Sequence, residues 1–249
     1  MGSENLSDGL NDIFSNIVNE ESLNLPFTVE SDIISDFKEK CQIYFNLLND
    51  YTENNETGLS KRISRRLEKI IEIYFGLVTS LSEFLSGDIK AAYDSFDRTF
   101  SDNVTSRYIH HISIPLNKLC NESKPLFRVR KSDTSIKDRS EIFHIPFSMR
   151  HLVNAQRYSV AGLPCLYLGS SLYVCWLEMD KPDFDKLYIS SYSSDEENSK
   201  ILDFTAEILY SRFYGIVDDD EMPYLTKMAY ICLMPLIYAC NFRKKHNST

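Results

Sequence analysis

The stretch "SMRHLVNAQRYSVAGLPCLYLGSSLYVCWLEMD" (148–180) decides how the second half of this chain folds. Gly162 and Pro164 punctuate a compact turn. "CLYLG" (165–169) follows with strand character, and 171–179 reads as a short helix with Ser171 as its N-cap. Around the turn stand Arg157, Tyr158, Tyr167 and Glu178. They form either a site or the polar rim of an ordinary core.

The flanks extend this mixed texture. "LFRVR" (126–130), "KLYIS" (186–190) and "KILDF" (200–204) are further short runs with β character, and "SSDEENS" (193–199) reads as an exposed loop. "MAYICLMPLIYAC" (228–240) is nearly apolar but shorter than the roughly 20 residues of a membrane span, and Pro235 interrupts it. A buried core element is the expectation.

Upstream the period changes to that of a helix. Leu10, Ile13, Phe14 and Ile17 make a short stripe, and Ile33, Phe37, Cys41, Tyr44, Leu48 and Tyr51 a longer one. A third runs from Ile63 to Leu85 and ends at Gly87, a suitable C-cap residue, and Ile89, Tyr93, Phe96 and Phe100 begin a fourth. Stripes joined by short polar loops favour antiparallel helix packing. The expected fold class is therefore α+β: an all-α N-terminal domain over 1–115, then a mixed α/β domain over 116–249.

Composition narrows the function classes. The chain has 249 residues, 43% of them hydrophobic, enough for one large or two small domains. Its 27 basic and 36 acidic residues give a net charge of −9, which argues against general binding to nucleic acid or anionic membranes. Six scattered cysteines lack a C-x-x-C pair, so a disulfide framework or zinc site is not expected. No secretory or lipidation signal is legible at the N-terminus, and a cytoplasmic protein with small, buried thiols is the expectation.

Several residues can carry chemistry. If "FRVR" is a strand, Arg128 and Arg130 share one face while Phe127 and Val129 take the other, and paired guanidiniums suit a phosphate. A charged strand edge facing solvent is the plain alternative. Tyr167, between Leu166 and Leu168, points away from both, towards a cleft or the second side of a sheet. Glu178 closes an otherwise apolar segment, where a carboxylate is either solvent-facing or held by a cation.

Arg128, Arg157, Tyr167 and Glu178, in this order and joined by "RYSVAGLPCLYLG", resemble the RES domain family. The resemblance covers roughly 125–245 and is firmest over 157–178; "MPLIYACNFR" (234–243) is also similar to a stretch of longer members. Residues 1–115 resemble, in character, the HEPN-like helical extensions that precede some RES domains.

The resemblance implies an ADP-ribosyltransferase-like fold that degrades NAD+ by cleaving the nicotinamide glycosidic bond, with phosphate or water as acceptor, as the toxin of a toxin–antitoxin pair. Arg128 would act in catalysis and Arg157 would bind the pyrophosphate or orient phosphate. Glu178 would stabilise the oxocarbenium-like transition state, and Tyr167, Tyr158 and Ser159 would line the nicotinamide-ribose pocket. NAD+ would be substrate, inorganic phosphate a co-substrate, and no cofactor or metal is expected. The implied partners are an antitoxin protein or a second copy, with no nucleic acid and no membrane. Longer members continue past the position of Thr249 with further core segments and a characteristic serine, so a C-terminally truncated RES-like domain is expected.

The alternative is an inactive or truncated RES-like chain that serves as a partner-binding module through its helical domain. Other motifs give less. "RYIHH" (107–111) gathers Arg107, His110 and His111 without a nucleophile, as a solvated helix end would, and "DDDE" (218–221) lacks the spacing of a calcium loop. No G-x-G-x-x-G, P-loop, G-x-S-x-G or H-E-x-x-H occurs.

Overall fold

The computed structural model describes residues 6–154, 159–204 and 223–243 and is of the α+β class. The chain divides into two compact units: one holds the described residues up to 113 together with those from 202 onwards, the other residues 114–201.

The first unit is built from helices with well-formed starts. α1 (Leu6–Asn19) is followed by the two-residue strand β1 (Phe27–Thr28), then by α2 (Ile33–Asn54), α3 (Gly58–Leu85), α4 (Ile89–Phe100) and α5 (Asn103–Ile112). Asp32 caps α2 through amides of Ile34 and Ser35, both at 3.0 Å, and Thr57 with Ser60 forms a capping box on α3. These side chains satisfy amides that a helix start leaves without partners. Gly87, at φ 91°, makes the left-handed step between α3 and α4 that the sequence assigns to it.

The last described helix, α8 (Tyr224–Cys240), belongs to this unit. The sequence reading puts 116–249 in one domain, whereas α8 packs with α1, α2, α3 and α5 in the helical core. The reason lies in its surface. Met228 to Met234 are all buried, so no face of the helix is polar enough to meet water, and it can only be the central element of a core. Around it lie Leu10, Phe14, Phe37, Tyr44, Ile63 and Ile70. β6 (Phe242–Arg243) then runs parallel to β1, with Phe27 N–H donating to Asn241 O at 2.9 Å.

The sulfurs follow the same logic. All six cysteines are free, and burial pushes the Cys41 thiol up and those of Cys232 and Cys240 to about 11. Such thiols behave as small hydrophobes rather than nucleophiles. No helix among the described residues is long and apolar enough to cross a membrane.

The second unit is thinner. β2 (Ser113–Pro115) and β5 (Lys200–Leu202) lie where the chain passes into and out of it, and α6 (Leu116–Leu119) is a single turn whose first amide, Leu116 N–H, donates to Ser199 O at 2.7 Å. Its centre is an antiparallel pair, β3 (Leu126–Lys131) with β4 (Leu187–Tyr192). α7 (Leu172–Glu178) packs on β3, and Ser171 caps it through Val174 N–H at 3.2 Å. "LFRVR" and "KLYIS" are thus strands. "CLYLG" is not: only Gly169 touches the sheet, in an isolated bridge to Phe127 with both hydrogen bonds at 2.8 Å.

Candidate functional site

The β3–β4 register puts Leu126 opposite Tyr192, Arg128 opposite Ser190 and Arg130 opposite Tyr188. Side chains alternate along a strand, so these six share one face of the pair. The expected split of FRVR into a buried and an exposed face is blurred, since Phe127, Arg128 and Val129 are all half-buried. A two-stranded sheet covers neither face completely.

Arg128 is the polar centre of this face. Its Nη1 donates to Tyr167 O at 3.3 Å, and the Tyr167 hydroxyl donates to Ser159 Oγ at 2.9 Å. Three of the residues singled out in the sequence are therefore linked in one chain of contacts. Arg128 Nε and the Tyr192 hydroxyl are buried and lack a hydrogen-bond partner. Burial pulls the Arg128 guanidinium below its ordinary range; Tyr192 offsets part of that and Arg130 adds to it. Burial and the neighbouring Arg130 cation both favour an arrangement in which an anion reaches the group.

Two further residues, Tyr192 and Arg139, join the cluster that the sequence did not mark. Arg139 lies 5.6 Å from the Tyr192 ring centre and its Nη2 donates to Ser191 O at 3.0 Å. Arg130 Nη1 donates to Glu141 O. A faint signal existed for Tyr192: Tyr188, Ser190 and Tyr192 alternate in "YISSY", the period of a strand facing Arg130 and Arg128. Arg139 offered none, because a loop brings it back.

Glu178 stands apart. It is exposed in the last turn of α7, and no hydrogen bond or ion pair joins it to Arg128 among the described residues. Helix α7 ends there because Asp180 and Lys181 turn to positive φ, 60° and 55°. Arg157 and Tyr158 lie outside the described residues, as does "DDDE" (218–221). "RYIHH" lies within α5, in the other unit. No group of three or more metal-ligating side chains occurs among the described residues.

The placement of α7 depends on one glycine. A Cβ at Gly169 would sit 2.6 Å from Cys175 Sγ, while the same thiol donates to Phe127 O at 3.3 Å. Gly169→Ala is expected to push α7 off β3 and to lower stability by about 1–3 kcal/mol, the usual cost of overpacking. Adding Cys175→Ala, which removes the obstructing sulfur, should restore most of the loss in a thermal melt. A double variant no more stable than Gly169→Ala alone would refute the close-approach argument.

The chain is similar to a bacterial protein whose name describes it as a putative toxin. The relative is a protein of Bacillus subtilis (strain 168) named "Putative toxin YopC", 34% identical over 211 residues. The alignment covers 77% of this chain and 47% of that protein, so the chain spans about half the length of the relative it matches. No family model and no solved structure matches.

Proposed function

We propose that the chain is an NAD+-degrading toxin of the RES type, in which residues 114–201 form part of the nucleotide site and the helical unit serves partner binding or regulation. The observation that carries this reading is the pair of buried donors without partners, Arg128 Nε and the Tyr192 hydroxyl, on one sheet face with Arg130 and Arg139 nearby. Two donors and converging guanidiniums suit a phosphate or pyrophosphate oxygen. The toxin-class relative supports the setting.

In this reading Arg128 binds and orients the pyrophosphate or an incoming phosphate, and Tyr167 and Ser159 border the ribose. Arg157 and Tyr158, outside the described residues, keep the roles in binding NAD+ that the resemblance implies for them. Departure of nicotinamide leaves positive charge on the ribose, which the Glu178 carboxylate would stabilise once brought to it. The acceptor, water or phosphate, then takes the ribose carbon. An antitoxin protein would bind the intact chain.

Nicotinamide release from NAD+, with and without inorganic phosphate, tests the reading. Arg128→Ala and Glu178→Ala should each lower turnover by about tenfold or more. Equal background release by all three proteins would sink it.

A second reading has its own observation. Among the described residues of 114–201 only Cys120, Ile142 and Cys175 are buried hydrophobics, while Phe143, Phe147, Leu172, Tyr173 and Phe184 are exposed. With Glu178 also exposed, this favours an inactive RES-like remnant attached to a helical partner-binding module. Failure to bind or consume NAD+, together with retained partner binding by the full chain, would select it.

A further inference from the structure

The first half of α3 concentrates positive charge in an acidic chain: "KRISRRLEK" (61–69) holds five cations and one acid. Arg62, Arg65, Arg66 and Lys69 recur at i, i+3, i+4 and i+7, one face of the helix. Ile63 and Ile70 are buried, whereas on the charged face Arg62 and Arg65 are exposed and Arg66 and Lys69 half-buried. Two side chains of this stripe reach α5. Lys69 Nζ pairs with Asp102 at the α5 start, 3.0 Å away, and the Arg66 guanidinium lies beside Tyr108 one and a half turns later.

The two ends of the stripe differ. Lys69 is already held by Asp102 and, at 2.8 Å, by Glu72. Burial raises the Asp102 carboxyl, but hydrogen bonds from Thr105, Lys69 and the Val104 and Thr105 amides outweigh it and hold the pKa at about 2. The face thus accepts a carboxylate at one end. Among the described residues no carboxylate lies within 4.0 Å of Arg62, Arg65, Arg66 or Arg107. Arg62 instead lies over the Tyr224 ring, 5.8 Å from its centre. On α5, exposed Val104 stands one turn before Arg107 and adds an apolar contact.

We propose that this α3–α5 face docks an acidic, amphipathic segment of a partner protein. Arg62 to Lys69 spans about 10 Å, two helical turns, which matches carboxylates at i, i+3 or i+4 on a short helix. Guanidinium forks pair with such carboxylates bidentately. A nucleic acid fits less well. Duplex binders commonly engage about 6–10 phosphates, whereas this stripe is short, carries Glu68 within it and Glu72 just beyond it, and sits on a chain of net charge −9. The inference stands on the helical unit and is independent of the NAD+ reading.

The test uses the full chain and a labelled helical peptide with Glu at i, i+3, i+4 and i+7 and leucines on its other face, followed by fluorescence anisotropy. The probe should bind, and Arg62→Glu/Arg65→Glu should weaken it by about tenfold or more. Arg65→Gln should weaken it less, and the peptide with Gln in place of Glu should not bind. Circular dichroism of the charge-reversed variant should match the wild type, since both arginines are exposed. Equal binding to wild type and the charge-reversed variant would overturn the proposal. So would no binding of the acidic peptide, or its displacement by a duplex oligonucleotide at equal charge concentration.

Discussion

A chain ending at residue 201 is expected to lose cooperative unfolding, although it keeps α1 to α5 intact. The deleted part includes α8, whose buried hydrophobics run from Met228 to Tyr238 and touch nearly every other helix of the unit. Fully burying one large apolar side chain is worth about 1.5–3 kcal/mol. Several such residues together exceed the 5–15 kcal/mol net stability of a typical domain. Without α8 the apolar faces of α1, α2, α3 and α5 meet water instead of a helix. Far-UV circular dichroism should then show reduced helicity and a broad, non-sigmoidal melt. In the full chain, Leu233→Asp should act in the same direction, because both its exposure of 0% and its neighbours leave an ionised carboxylate without water or a counter-ion. A sharp melt from the chain ending at residue 201 would show instead that the N-terminal helices fold as a domain without α8.

That prediction also marks where the sequence was legible. Helices α2, α3 and α4 were readable because one face of each meets water, which prints the 3.6 period into their composition. Gly87 and Ser171 were readable because caps and left-handed turns restrict residue type. Helix α8 prints no period, since all its faces are buried, so its sequence tells that it is core but not whose core. Its assignment to the helical unit needed the long-range packing.

The candidate site divides in the same way. Arg128 was visible through the alternation of "FRVR", a local pattern. Tyr192 and Arg139 join it only through the β3–β4 register and a returning loop, contacts that span 52 residues in the case of Arg139 and Ser191. "CLYLG" looked like a strand because its residues have β propensity, yet propensity does not supply a partner edge, and Gly169 alone finds one. Exposure of Glu178 was likewise not local information, because a helix end is solvated or covered according to what else packs there.

Tyr44→Phe is expected to lower stability by about 1–3 kcal/mol, the cost of leaving a buried polar group unpaired. Pro235 lies inside α8 and has no N–H, so the carbonyl four residues earlier, Ile231 O, loses its ordinary helical partner. The Tyr44 hydroxyl supplies the replacement across the core at 2.6 Å. Tyr44 is fully buried, and burial pushes its phenol well above the usual range, with Tyr238, Cys232 and Cys41 adding to the shift. The donor proton therefore stays in place throughout the working pH range. Phenylalanine keeps the ring and its edge-on packing against Tyr238, at 5.8 Å, and removes only the bond. For a chain of this size the melting temperature should fall by about 2–4 °C per kcal/mol. Pro235→Ala restores an N–H at the position that Ile231 O faces, so Tyr44→Phe should cost about 1 kcal/mol less or better in that background. Strictly additive effects of the two substitutions would mean that the tyrosine serves packing alone. Coupling of that size would show that a proline within a buried helix is tolerated here because α2 supplies the missing donor.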